Sequence, residues 1–239
     1  MEHDSRVAGI SQEPLNGHTV TAIVCTLNEE ASLPQVLSSI PEWVNEILVV
    51  DGHSTDHTVQ VVKTLRPDAR VLQQPGVGKG DALRHGFSHA TSDIIVTLDA
   101  DGATDPEEMG KLVEPLFNGY DFVKGSRFLH VFPRNKPWYR ILGNWIITLT
   151  FDALFFRRYT DLCSGYNSFW RGILRLGNVL SADGFQNEPL MNVRVAKMGL
   201  RVLEVAHSDS GRLHGQVKES AWRQGFKAIR TIVRERFRD

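Results

Sequence analysis

Asp99 and Asp101 stand one residue apart at the end of the run Ile94-Ile95-Val96-Thr97-Leu98. At a strand terminus that alternating spacing turns two carboxylates toward one hard cation, and Mg²⁺ or Mn²⁺ held this way also takes phosphate oxygens and keeps waters. The chemistry served is departure of a diphosphate. The same two residues also fit a solvated turn that caps the helix opening at Pro106, so the pair acquires meaning only from its neighbours.

Asp51 closes a second apolar run, and Ser54, Thr55 and Asp56 behind it are good N-cap residue types. Capping accounts for those three but not for a carboxylate on the strand tip. There it can accept hydrogen bonds from a base or a ribose, as acidic residues do in dinucleotide-binding folds. Gly76-Val77-Gly78-Lys79-Gly80 resembles a phosphate-binding loop at first sight, but Gln73 stands where a P-loop has its first glycine and Gly80 where it has Ser or Thr. What remains is a flexible loop with one cation, Lys79, leading into a helix that carries Arg84.

These residues need a scaffold, and the chain between Val20 and Lys124 supplies one by alternating short β-branched runs with helical stretches. The pattern predicts an α/β fold with a mainly parallel central sheet flanked by helices. Strands are expected at Val20 to Thr26, Glu46 to Asp51, Ala69 to Gln73, Asp93 to Asp99 and Asp121 to Lys124. Most are too apolar to have one face in water, which marks central strands. Helices are expected near Ala31 to Ile40, Thr58 to Leu65, Asp81 to Ala90 and Pro106 to Asn118. In an open α/β sheet the carboxyl ends of the strands border the ligand crevice, so the loops at Asn28, Asp51 and Asp99 should converge.

A chain of 239 residues with 41% hydrophobic content and a net charge of −1 suits one large core. Balanced charge gives no sign of wholesale nucleic-acid binding. Cys25 and Cys163 lie outside any metal or redox motif, and the polar first seventeen residues read as a ragged start without a signal peptide. The expectation is a cytoplasmic protein: a flexible stretch 1–17, a catalytic domain 18–215 and a C-terminal helix 216–239.

Two segments bear on membranes. From Trp138 to Phe156 the chain is greasy but carries Arg140, Asn144, Thr148 and Asp152 at every fourth position, one polar stripe along a helix. Such a segment is unsuited to span a bilayer; it is either a buried helix with its stripe toward the site or an interfacial helix lying on lipid. From Ser220 onward, Trp222, Phe226, Ile229, Val233 and Phe237 form one helical stripe flanked by Arg223, Lys227, Arg230 and Arg234. That helix either docks its stripe on the domain or binds the cytoplasmic face of an anionic membrane.

Taken together, these motifs resemble the family 2 glycosyltransferases of GT-A fold, and within them the dolichol- or polyprenyl-phosphate mannose synthases. The likeness runs in order through Val24-Cys25-Thr26-Leu27-Asn28-Glu29-Glu30, Val49 to Asp56, Gly78-Lys79-Gly80, Asp99-Ala100-Asp101, Gly125-Ser126-Arg127 and Asp161-Leu162-Cys163-Ser164-Gly165. The resemblance implies a nucleotide-sugar pocket of Thr26, Asn28, Glu29, Asp51 and Lys79, with Ala100 and Arg127 beside it and Mg²⁺ or Mn²⁺ on Asp99 and Asp101. Some relatives add a Gln ligand where this chain has Ala103, and Gly52-His53 replaces the usual Asp-Gly. Gly211 to Lys218 aligns with a phosphate clamp, so Arg212 and Lys218 would neutralise the diphosphate, and His214 would be a replacement metal ligand.

By the same resemblance Arg140 and Asn144, four residues apart, would hold a lipid phosphate. Asp161 and Glu188 are the candidates to take a proton from a hydroxyl acceptor. The implied reaction is inverting transfer of a hexose from GDP-mannose or a UDP-sugar to a polyprenyl phosphate. A soluble hydroxylated acceptor is the alternative, and a degenerate nucleotide-sugar-binding subunit a third.

Overall fold

The computed structural model describes residues 15–129, 137–175, 187–214 and 221–238. Residues 1–14, and Lys218 with its neighbours, lie outside the described residues. In chain order the elements are β1 Val20–Thr26, α1 Leu33–Ser38, β2 Glu46–Asp51, α2 Thr58–Leu65, β3 Arg70–Gln73, α3 Lys79–His89 and β4 Ile94–Asp99, then α4 Met109–Phe117, β5 Phe122–Ser126, α5 Trp138–Phe155, β6 Asn167–Trp170, α6 Asn187–Lys197, β7 Val202–Ala206 and α7 Ala221–Arg236. One 3₁₀ turn, Pro106–Glu108, precedes α4, with the Asp105 carboxylate accepting from the Glu107 N–H, and a second, Arg171–Arg175, follows β6.

The strands form one sheet in the order β3-β2-β1-β4-β6-β5-β7. All neighbours pair in parallel except β6, which runs antiparallel to β4 and β5. Alternation along β1 sorts its side chains: Val20, Ala22 and Val24 pack on the face covered by α1, α2 and α4, while Ile23 joins Leu83 and Phe87 of α3 and Met191 of α6 on the other. Both faces of β1, β2 and β4 are therefore dry, as their unbroken apolar runs require. A third cluster of Ile147, Phe151, Leu162, Val193, Ala228 and Ile232 binds α5 and α7 to α6.

The expected strands and helices up to Asp121 are present, with ends shifted by a residue or two. Strands β6 and β7 and helix α6 are additions. Asn167-Ser168-Phe169-Trp170 is half polar and only four residues long, and its Ser168 hydroxyl donates to the Leu112 carbonyl, a contact invisible to local pattern. No described helix is long and apolar enough to cross a membrane.

Candidate active site

The carboxyl ends of β1, β2 and β4 meet side by side, because parallel register sets Thr26 against Asp51 and Cys25 against Asp99. The chain leaves β1 toward β2 on one side and β4 lies on the other, so the crevice between them is a switch point where ligands bind. A cavity of about 670 Å³ opens there.

Thr26 Oγ1, on the cavity wall, and Asp51 Oδ1, just behind it, are buried and without a hydrogen-bond partner among the described residues. The other Asp51 oxygen accepts from the Ser54 N–H at 3.0 Å. Such orphaned acceptors call for a ligand donor. Asn28 is not on the cavity wall: it adopts φ 53°, and its amide oxygen accepts from the Thr55 N–H at 2.7 Å, tying the first loop to the second. His53, at φ 66°, sits in the left-handed region that a glycine would enter without strain.

The floor of the cavity is ionic. Lys79, the first residue of α3, puts Nζ 2.6 Å from Asp99 Oδ1 and 2.5 Å from Glu188 Oε1. Burial would depress this ammonium, but Asp99 and Glu188 outweigh it and hold its pKa above the usual lysine value. Gly165 permits the approach: a Cβ there would lie 2.6 Å from Lys79 Nζ and 3.1 Å from Asp99 Oδ2. Across the cavity Arg212 reaches Glu29 Oε1 at 2.7 Å and Asp101 Oδ2 at 3.5 Å. Arg212 is delivered by the segment after β7, whose Ser210 and Leu213 N–H groups donate to the Ala103 and Asp101 carbonyls. Gly102, at φ 73°, must be glycine, since a Cβ would come within 2.2 Å of Leu213.

These groups fit a divalent cation that arrives with phosphate oxygens. Burial raises the Asp101 carboxyl pKa, and the adjacent Asp99 charge raises it further, a repulsion that a divalent ion would relieve. Among the described residues no three His, Cys, Asp or Glu side chains come together to hold a metal. His214 is thus exposed on its loop and not grouped with the two aspartates. Ala100 is buried beneath them, its N–H donating to the Cys25 carbonyl.

Asp161 stands behind the cavity rather than in it. Its two oxygens grip the Arg127 guanidinium at 2.6 and 2.9 Å. Burial pushes this carboxyl up, yet the Arg127 charge and hydrogen bonds, with Lys124, overcome that and hold it far below the ordinary carboxylate range. Its position accounts for orienting Arg127, which lines the cavity.

Of four further residues at or behind the site, the sequence marks only Cys163, within a motif, and gives no sign of Lys124, His207 or Glu204. Lys124, fully buried on β5, donates to the Ser164 carbonyl at 2.9 Å. His207 Nε2 faces the Ser164 hydroxyl at 3.2 Å while Nδ1 meets the Ser208 carbonyl at 2.8 Å, so the proton belongs on Nδ1. Glu204 accepts from the Thr160 and Asp161 N–H groups. Cys163, like Cys25, lines the cavity as a free thiol whose pKa burial pushes up to about 12. A charged residue inside a strand reads locally as a surface position; its partner decides otherwise.

At the other end, Arg140 and Tyr139 of α5 line the cavity together with Gln224 of α7. Asn144 lies one turn further along α5, buried and off the cavity wall, with neither amide atom partnered among the described residues. The polar stripe of α5 points inward: the Thr148 hydroxyl accepts from the Leu162 N–H and the Asp152 carboxylate from the Tyr159 N–H. Ile147 and Phe151 point inward with it, while other apolar residues point out, with Trp138 74% and Leu149 62% exposed. Helix α7 repeats this. It docks through Ala228, Ile232 and Glu235, leaving Trp222 79% and Phe226 70% exposed. The helix docks, but not through the expected stripe, most of which stays exposed.

Comparison with known proteins agrees with this geometry. Residues 21–176 match the model of glycosyl transferase family 2. The chain is 34% identical over 188 residues to the glycosyltransferase AglJ of Haloferax volcanii, covering 78% of this chain and 61% of that protein, so it spans less than two thirds of that relative's length. It is 30% identical over 221 residues to an undecaprenyl-phosphate mannosyltransferase of Micrococcus luteus, covering 84% and 87% of the two chains. Glucosyl-3-phosphoglycerate synthase of Mycobacterium tuberculosis, solved with Mn²⁺, UDP and glucosyl-3-phosphoglycerate, superposes with a TM-score of 0.77 at 23% identity over 95% of this chain and 85% of that one. The same synthase has been solved with Mg²⁺ and UDP. With the family model covering most of a chain whose strand ends converge as described, the protein belongs to glycosyl transferase family 2.

Proposed function

We propose that this glycosyltransferase moves a hexose from a nucleoside-diphosphate sugar to a polyprenyl phosphate in one inverting displacement. Thr26 and Asp51 receive the nucleoside through their unpartnered oxygens, and Lys79, Arg127 and Arg212 face the diphosphate. Asp99 and Asp101 would hold Mg²⁺ or Mn²⁺, which when bound neutralises charge on the departing diphosphate.

The observation that carries the acceptor assignment is the end wall of the cavity. Arg140 lines it from a helix whose outer face exposes Trp138, Leu142 and Leu149, and Gln224 lines it from a helix whose outer face exposes Trp222 and Phe226. An anionic head that reaches Arg140 and a prenyl chain that stays among aromatic and aliphatic side chains match that combination. Arg223, Lys227, Arg230 and Arg234 beside the second stripe favour peripheral contact with an anionic membrane. An ionised phosphate needs no strong base, so in this reading Glu188 pairs Lys79 rather than accepting a proton.

A second reading, transfer to a soluble hydroxylated acceptor, draws on Glu188 itself. It is a buried carboxylate on the cavity wall, where a hydroxyl proton could be taken. The test is transfer from a panel of GDP- and UDP-sugars with Mn²⁺, with and without polyprenyl phosphate. Product on the lipid supports the first reading, donor turnover only with soluble acceptors supports the second, and failure to bind any donor defeats both.

A further inference from the structure

The two carboxylates suited to a divalent cation are already covered by cations of the chain. Lys79 Nζ stands 2.6 Å from Asp99 Oδ1 and 2.9 Å from Oδ2, so one ammonium faces both oxygens of that carboxylate. The same nitrogen holds Glu188 Oε1 at 2.5 Å. Arg212 covers Asp101 less closely, at 3.5 Å, with its nearer partner Glu29 at 2.7 Å. Asp99, the more exposed of the two carboxylates, is thus also the one more tightly paired to a cation of the chain.

Three features make Lys79 movable without disturbing the fold. Its backbone begins α3 behind Gly78, whose φ of 90° and ψ of 161° end the preceding loop, and whose carbonyl receives the Asp81 and Ala82 N–H groups. The loop is closed independently of the lysine side chain, by the Gly76 N–H donating to Asp81 Oδ2 at 2.7 Å. The ammonium rests against Gly165, where no side chain pins it.

We propose that Lys79 is a placeholder cation: in the empty site it occupies the face of Asp99 that a divalent cation needs, and it yields that face when a diphosphate offers it a new counter-anion. A cation arriving alone must break both ion pairs of Lys79 and leave an ammonium beside a second positive charge, with the buried Glu188 carboxylate unpaired. A cation arriving with a diphosphate relieves the first of these, because the phosphate oxygens receive the displaced Lys79 ammonium. Metal and nucleotide affinity are therefore coupled through one side chain, and the coupling is reciprocal. The inference rests on the donor reading above, and it extends that reading from which groups bind to the order in which they can bind.

The test is Mn²⁺ binding to the full chain, read from the free-ion EPR signal, with and without UDP or GDP. For the wild type, Mn²⁺ binding alone is expected to be weak and to tighten about tenfold or more with the nucleotide that binds, within the usual range of coupling between sites. In Lys79→Met, Mn²⁺ should bind about fivefold more tightly than to the wild type without nucleotide, and the nucleotide effect should shrink below about threefold. Lys79→Arg keeps a cation between the carboxylates and should retain the coupling. If Lys79→Met fails to fold by near-UV circular dichroism, Lys79→Gln, which keeps hydrogen bonding without charge, carries the same expectation. The proposal is overturned if the uncharged variant binds Mn²⁺ alone no more tightly than the wild type, or if the nucleotide effect survives intact. Should the wild type bind neither nucleotide, the donor reading fails instead, and the comparison with Mn²⁺ alone still judges Lys79.

Discussion

Glu188 is 2% exposed and its carboxylate meets Lys79, an arrangement with opposite consequences for the two acceptor classes. With a hydroxyl acceptor, Glu188→Gln removes the group that takes the proton, and kcat should fall about 10²- to 10⁴-fold. With a polyprenyl phosphate the same variant should change kcat by less than about tenfold, since no proton is transferred. Measuring kcat for both acceptors on one preparation separates a base from a counter-ion. Asp161 makes a different prediction. Asp161→Asn leaves the Arg127 guanidinium without its paired anion in a buried setting, so stability should drop by about 3–5 kcal/mol, as for other broken buried pairs. Unchanged urea unfolding would contradict that role. Asp99 and Asp101 could be singled out only with their neighbours, because an Asp-x-Asp pair alone also fits a capping turn, whereas Asp51 on its strand tip is left unexplained by capping. Glu188 was reached only through family likeness, and Lys124, His207 and Glu204 not at all, because their partners lie 40 or more residues away in sequence.

At the level of elements, the central strands were legible almost to the residue, since burial on both faces forces continuous apolar runs. Helix α7 shows where periodicity misleads. Its strongest apolar stripe faces outward, while the docked face is built from Ala228, Ile232 and the Glu235 carboxylate, which meets Arg194 and Arg238. Apart from Ile229, which packs against the docking cluster, stripe and docking face are different sets of residues, so they can be tested apart. Trp222→Ser with Phe226→Ser should abolish co-sedimentation with anionic vesicles and leave thermal unfolding within a degree or two, because both side chains are already exposed. Ile232→Ala should do the reverse, losing about 2–4 kcal/mol of stability through a cavity in the cluster it shares with Phe151 and Val193. Loss of vesicle binding in Ile232→Ala with no loss of stability would show that α7 is not docked as described.

For the molecule as a whole, buried titrating groups give stability a definite pH dependence. His207 lines the cavity, and burial lowers its pKa below the usual histidine value, with only partial compensation from its bond to the Ser208 carbonyl. Between the folded and unfolded pKa values the unfolded chain binds a proton that the native one refuses, so stability falls as pH drops through about 6.5. Asp161, with its folded pKa lowered, keeps its contribution above the ordinary carboxylate pKa of about 4 and loses it only in stronger acid. The two groups act in separate windows. Urea midpoints should accordingly decline between about pH 7 and 5, with one histidine supplying at most about 1.4 kcal/mol per pH unit. His85 shifts in the same direction, also mainly by burial, so the decline has two contributors, while Asp101, Asp152 and Glu204, whose carboxyls burial pushes up, oppose it at the acid end. His207→Asn removes one of them and should flatten the slope while leaving a remainder. An unflattened slope in that variant would mean that His207 is charged in the fold, and that Ser164 Oγ acts as an acceptor toward Nε2 instead of donating to it.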